Sequence, residues 1–216
     1  MERGEAAHSL ILGGRPVVAW EEGRPRRGKD YDAFKAGNPD ALILTASDFA
    51  QCNNIAEAVK GNALAMRVLE GRRELELAWK FGARECAGRL DVLGRDYVTE
   101  LKTTVSADPF KIGYQAKRMG WFAQLAWYQD GALAGKHGAP EQAYIVAVEQ
   151  GAPHAVTVFL LDNDAMDYGR RTYRTWLERL LACEASDSWP SYSQSIVSLG
   201  VPDNDVAIDF GEDAAA

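Results

Sequence analysis

The sequence predicts an α/β or α+β sandwich, a mixed β-sheet flanked by helices. Three observations carry this. Three short alternating segments, residues 73–79, 84–94 and 96–104, follow one another with tight links and read as an antiparallel meander. A long helical stripe comes next, in which Phe110, Tyr114, Trp121, Leu125 and Tyr128 recur at spacings of three, four and seven. Two further strand-like segments and a closing helix complete a sheet that needs helices on its faces.

Taken in order, ERGEAAHSLILG near the start reads as a helix carrying His8. Residues 13–40 are rich in Gly, Pro and Arg (GGRP, EEGRPRRGKD, AGNPD) and read as one long loop. Thr45 or Ser47 can cap a helix running to about Leu69, and Gly61 is a candidate break within it. RELELAW alternates, RECAGRLDVLG holds a second strand, and Gly94-Arg95-Asp96 makes the turn into DYVTELKTT. Asp108-Pro109 then opens a helix over about 109–133. AYIVAVEQ (143–150) and AVTVFLLD (155–162) are strands joined through Gly151-Ala152-Pro153, and Asp162 or Asn163 caps a last helix over about 164–183. The segment after Trp189 is rich in turn residues and then acidic. The expected organisation is a single domain over 1–199 with an acidic tail over 200–216.

Composition narrows the function. Among 216 residues 47% are hydrophobic, 25% charged and 10% aromatic, a globular mixture able to bury a sizeable core. No apolar run approaches the ~18–20 residues that cross a bilayer, so no membrane role is expected. The opening MERGEAAHSL is too charged for a signal peptide. Cys52, Cys86 and Cys183 lack CxxC spacing, which excludes a disulfide scaffold or a cysteine-based zinc site and suits a reducing cytoplasm. With His8, His137 and His154 as the only histidines, a His-rich metal cluster is excluded too.

The net charge of −7 does not exclude a nucleic-acid partner, because it is unevenly spread. Residues 200–216 hold five acids and no base, so the remaining chain carries only −2. Residues 24–35 are net +3, and residues 102–118 are net +3 through Lys102, Lys111, Lys117 and Arg118 against Asp108. Phosphate binding depends on a local positive surface rather than on the total. Such runs are equally compatible with solvated faces.

The chemistry concentrates in GRLDVLGRDYVTELKTT. Glu100 and Lys102 lie two apart on one strand and therefore share a face, and the hairpin brings Asp91 opposite them. Two carboxylates and an ammonium converging on a sheet are costly to bury without a cation. A hard divalent ion with oxygen ligands relieves that cost, and the lysine can then orient a water or stabilise charge on a phosphoryl oxygen. Alone, the pattern equally describes a salt-bridged strand pair facing solvent. On the following helix Gln124 and Tyr128 are i and i+4 and share a face. Gln124 interrupts an apolar run, so if buried it needs polar partners. His8 reads either as a structural histidine of an apolar helix or as a ligand, and Glu74 and Glu76 as exposed strand positions or as acids reaching the cluster.

The order His8, Glu74, Asp91, Glu100-x-Lys102, Gln124-xxx-Tyr128 resembles the PD-(D/E)xK nuclease superfamily, and more narrowly its RecB-type branch with a histidine and a QxxxY motif. Within that branch the chain resembles the phage-type exodeoxyribonuclease VIII (RecE-like) family. GEAAHSLILG matches its G-x-x-x-H helix, RELELAW its E-x-x-x-x-W strand, and WPSYSQSIVSLGVPDN its closing W-x-x-Y…L-x-x-P element. The E-x-x-x-x-W match selects Glu74 over Glu76. Two features depart from the family: the first motif lies close to the start, and Asp203 rather than Trp follows Pro202.

The resemblance implies a restriction-endonuclease-like core and a Mg²⁺- or Mn²⁺-dependent deoxyribonuclease. It implies His8, Glu74, Asp91, Glu100 and the backbone carbonyl of Leu101 as metal ligands, Lys102 as the residue that positions water, and Gln124 and Tyr128 as orienting groups. It further implies 5′ to 3′ degradation of duplex DNA from an end, recombination alongside a single-strand annealing protein, and a homo-oligomer. Lys111, Lys117 and Arg118 are the expected DNA contacts. An endonuclease on the same fold, or a non-catalytic DNA-binding or assembly protein, remains compatible with the same residues.

Overall fold

The computed structural model describes residues 2–21 and 23–200. The described residues fall into two units, divided between Trp176 and Leu177. In chain order the elements are α1 (Glu2–Leu12), β1 (Val17–Trp20), α2 (Lys29–Gly37), β2 (Leu42–Thr45), α3 (Ala46–Lys60), α4 (Ala63–Val68), β3 (Arg72–Phe81), β4 (Arg84–Leu93), β5 (Tyr97–Thr104), α5 (Pro109–Met119), α6 (Trp121–Ala134), β6 (Gln142–Glu149), β7 (Val156–Leu160) and α7 (Asn163–Ser186). Beyond α7 the described residues are irregular, and Trp189, Tyr192, Ile196, Val197 and Leu199 are exposed.

The expected sandwich is present. A five-stranded mixed sheet runs in the order β3-β4-β5-β6-β7. β3, β4 and β5 form the antiparallel meander, β5 pairs β6 in parallel across the α5–α6 connection, and β7 closes the sheet antiparallel. Alternation along the strands feeds two cores. Leu90, Val98, Ile145 and Ala147 pack with Ile112, Ala116, Leu125 and Ala126 of α5 and α6. Val92, Leu101, Val146 and Val148 face the other way, onto Ala7 and Ile11 of α1, Ile55 and Val59 of α3, and Val68 of α4.

Two expectations are corrected. Residues 13–40 are not one loop: β1 and α2 lie within them, and β1 pairs in parallel with β2, which immediately follows. The stretch hides a strand because VVAW is short and flanked by turn residues, and its partner LILT supplies the missing hydrogen bonds only in the fold. The helix over 109–133 is two helices. Gly120, at φ 72° in the left-handed region, ends α5 and starts α6, a conformation glycine adopts without a Cβ penalty. The break separates the aromatic stripe: Trp121 and Leu125 are buried, whereas Phe110 and Tyr114 are exposed.

Local chemistry explains the other boundaries. Thr45 accepts a hydrogen bond from Asp48 N and caps α3, while Asn62 accepts from Ala65 N and restarts the chain as α4 after Gly61. Asp108 accepts from Phe110 N and Lys111 N, with Pro109 in the first turn of α5. At the β4–β5 turn a Cβ on Gly94 would lie 2.2 Å from the Tyr97 ring, so only glycine fits. The Tyr97 hydroxyl donates to the carbonyls of Arg67 and Glu70, and Thr99 donates to that of Val68, tying β5 to the end of α4.

Candidate active site

The site forms where the sheet stops being regular. Hydrogen-bonded pairing of β4 with β5 is confined to Val92↔Thr99 and Leu93↔Val98. The next position would set Asp91 opposite Glu100. There the ladder ends, and the Leu101 N–H donates instead to Asp91 Oδ2 at 2.8 Å. On the other side of β4, pairing with β3 runs through Arg73↔Val92 and resumes at Leu75↔Leu90, skipping Glu74 and Asp91. Glu74 sits there at φ 50°, left-handed and costly for a residue with a side chain. The strained residue and the interrupted ladders coincide at the two acids.

His8, on α1, brings Nδ1 to 3.7 Å from Asp91 Oδ2. His8, Glu74 and Asp91 each offer one ligand atom, and these atoms all lie within 4.8 Å of one another. They line an open cleft of about 320 Å³ with Ser9, Arg15 and Arg89. Arg89 Nε donates to Glu74 Oε2 at 2.6 Å. The motif pattern overlooks Arg89, although its place two residues before Asp91 in RLD was a usable signal.

Glu100 and Lys102 face α6. Lys102 Nζ donates to Glu100 Oε1 at 2.8 Å and to Gln124 Oε1 at 2.9 Å. The Gln124 amide donates to Glu100 Oε1 at 2.8 Å and to the Tyr128 hydroxyl at 3.2 Å. Gln124 therefore grips both members of the Glu-x-Lys pair, and its helix position is the reason: one turn of α6 aligns it with Tyr128. Lys102 also lies 5.5 Å from the Trp121 ring centroid, a cation–π contact outside the motif pattern. Glu100 is only 5% exposed, and its Oε2 is buried without a hydrogen-bond partner.

The electrostatics follow from this packing. Burial pushes the Asp91 carboxyl up to about 6, against the Leu101 N–H and Lys102, which favour the charged form. Burial and the Asp91 charge push Glu100 up to about 7, again opposed by Lys102. Burial lowers His8 below its ordinary value and keeps the ring a neutral donor or ligand, with Glu100 acting in the opposite direction. Burial also raises the Tyr128 phenol. Two acids held up by burial, one with an orphaned oxygen, beside a neutral imidazole are a donor set that a hard divalent cation satisfies.

Of the residues singled out from sequence, His8, Glu74 and Asp91 form one cluster, and Glu100, Lys102, Gln124 and Tyr128 form a second. Leu101, between Glu100 and Lys102 on β5, links the two clusters by donating its N–H to Asp91. Lys111, Lys117 and Arg118 are exposed on α5, and Lys117 Nζ lies 5.7 Å from the Tyr168 ring centroid. No helix among the described residues is long and apolar enough to cross a membrane.

No curated protein matches the sequence. Among solved structures, a candidate exonuclease from Eubacterium rectale superposes over 80% of this chain and 71% of its own with a TM-score of 0.58 at 13% identity, a likeness of fold. A phage-related exonuclease from Haemophilus somnus 129PT aligns over 76% of this chain and 87% of its own at 14% identity, with a TM-score of 0.37 that is too low to bear on the fold. The sequence itself matches, over residues 2–199, the family described as a PDDEXK-like domain of unknown function. Matched over nearly its whole described length, the chain belongs to this family of PDDEXK-like domains.

Proposed function

We propose that the protein is a divalent-metal-dependent deoxyribonuclease that degrades duplex DNA from its ends. The observation that carries this reading is the buried, unpartnered Oε2 of Glu100, adjoining the His8–Glu74–Asp91 cluster while Gln124 clamps the Glu100–Lys102 pair. An apolar or merely structural site would not leave a carboxylate oxygen orphaned beside a second raised acid.

Asp91, Glu100, the Leu101 carbonyl and His8 would hold the ion, with Glu74 as a further acid. A bound Mg²⁺ or Mn²⁺ supplies the positive charge that neutralises the acids and stabilises charge developing on a phosphoryl oxygen. Lys102 has three N–H donors, and Glu100 and Gln124 engage two. The third is directed to a water or phosphate oxygen. The Gln124–Tyr128 bond holds the amide in the orientation that presents its carbonyl to Lys102, and the Trp121 face screens the ammonium from bulk water. Lys111, Lys117 and Arg118 contact backbone phosphates. Polarity from 5′ to 3′, an annealing-protein partner and a homo-oligomer belong to the same reading.

The test compares a linear blunt duplex with its closed circular form in Mg²⁺, Mn²⁺ and EDTA, using 5′- and 3′-end labels. Degradation of the linear form alone, absent in EDTA and absent in Asp91→Ala, is the expected result. Nicking of the circle makes the enzyme an endonuclease. Duplex binding without cleavage in either metal makes the protein a non-catalytic DNA binder.

A further inference from the structure

α5 carries two exposed aromatic side chains, Phe110 and Tyr114, that the catalytic reading leaves unused. Phe110 and Tyr114 are 63% and 56% exposed, and their rings pack edge to face with centroids 5.1 Å apart. They are one helical turn apart, and Lys117 and Arg118 continue the same face a turn later, with Lys111 at its margin. Ile112 and Ala116 are buried on the opposite side and anchor the helix. Residues 109–119 contain three bases and no acid. The face is therefore aromatic, cationic and rigidly mounted, since Asp108 caps its first turn.

Its location ties it to the site. Thr104 Oγ1 donates to Gln115 Oε1 on α5 at 2.9 Å. Thr104 lies two residues beyond Lys102 on the same face of β5, so α5 stands over the end of the strand that carries Glu100 and Lys102.

Adjacent exposed aromatic rings mark a binding surface. An apolar protein partner would favour an apolar surround, whereas this pair is bordered by Lys111, Lys117 and Arg118. A duplex hides its base faces in the stack and offers only phosphates. An unpaired strand offers bare base faces to the rings and phosphates to the cations. We propose that the Phe110–Tyr114 face of α5 is a stacking platform for an unpaired strand of the substrate, so that the preferred DNA is a duplex with a single-stranded tail or a frayed end. This rests on DNA being the substrate of the nuclease reading and names the form in which it is held.

The experiment measures anisotropy of fluorescein-labelled oligo-dT, about 20 nucleotides long to exceed one ~4–16-nucleotide site, with the intact chain in EDTA. Cleavage of tailed and blunt duplexes in Mn²⁺ is followed in parallel. Phe110→Ala and Tyr114→Ala each weaken oligo-dT binding by roughly 5- to 150-fold, the range of base–aromatic stacking, and abolish any preference for the tailed duplex. Tyr114→Phe retains affinity, and Phe110→Leu loses it as alanine does, because stacking needs a ring and not only an apolar group. Thermal melts confirm that the variants fold. Alanine variants that bind oligo-dT like the parent overturn the platform, as does a leucine variant that binds fully. Changed sedimentation with unchanged oligo-dT affinity also overturns it, by making the face a contact between copies. A parent that cleaves blunt duplex but ignores oligo-dT overturns the platform and leaves the nuclease reading standing. Ring-dependent oligo-dT binding with no cleavage in any metal supports the platform and removes the nuclease.

Discussion

Replacing Asp91 by asparagine should stabilise the metal-free protein at alkaline pH while destroying its response to metal. Asp91 is 8% exposed and titrates near 6, about two pH units above an ordinary aspartate, because burial opposes its charge. A raised acid contributes stability fully below the unfolded value and loses it as pH rises through the folded one. At pH 8 the carboxylate is ionised at a cost of about 3 kcal/mol, from ~1.4 kcal/mol per pH unit over about two units. Asparagine has nearly the same shape, keeps an acceptor for the Leu101 N–H and carries no charge. The gain is therefore at most about 3 kcal/mol at pH 8, or roughly 6–12 °C in melting temperature for a chain of this size; it falls to about half at pH 5, where folded Asp91 is protonated but an unfolded aspartate is still ionised, and vanishes only below the unfolded value. The charge on Asp91 also helps to push Glu100 up, so the substitution relaxes Glu100 toward its ordinary value. The assay is thermal unfolding in EDTA at pH 5 and 8, followed by a Mn²⁺ titration. Saturating Mn²⁺ should stabilise the parent by about 2.7 kcal/mol at a hundred times its dissociation constant and leave Asp91→Asn unmoved. A variant less stable than the parent at pH 8 in EDTA would show that the protein's own groups satisfy this charge. Equal stabilisation of both by Mn²⁺ would remove Asp91 from the ligand set.

Three other outcomes follow from the same geometry. Lys102→Met should retain Mn²⁺ stabilisation and lose roughly 10²–10⁴-fold in cleavage rate, the range for one positioned proton-handling group; single-turnover kinetics beside a Mn²⁺ melt separate the two effects, and lost metal affinity would instead make Lys102 a structural member of the site. Glu74→Gly should relieve about 1 kcal/mol of left-handed backbone strain, raising the melting temperature in EDTA while weakening Mn²⁺ binding; unchanged Mn²⁺ affinity would leave Glu74 as a partner of Arg89 only. Converting Lys111, Lys117 and Arg118 together to Ser should flatten the plot of log affinity for duplex DNA against log salt by about two to three, at ~0.9 per phosphate contact; measured on a Glu100→Gln background, an unchanged slope would place the phosphate contacts elsewhere.

Periodicity alone carried the local parts of this protein. Alternation in YVTELKTT placed Glu100 and Lys102 on one face, and the short turn at Gly94 made Asp91 their neighbour, because a strand repeats every two residues whatever surrounds it. Helical spacing likewise aligned Gln124 with Tyr128. Tertiary structure decided the rest. The same stripe that aligned Gln124 with Tyr128 also ran through Phe110 and Tyr114, and only the left-handed turn at Gly120 shows that these two face outward. Residues 13–40 read as loop because β1 is stable only against β2, a pairing no local pattern encodes. The site itself is a product of packing. His8 reaches Asp91 because α1 docks on the sheet, Glu74 turns toward both because its backbone is forced to positive φ, and Glu100 keeps one oxygen unpartnered because Lys102 and Gln124 both bind the other. Sequence determines which faces each element presents. Which faces meet, and at what cost in buried charge, is set by the long-range contacts that only the folded chain can form.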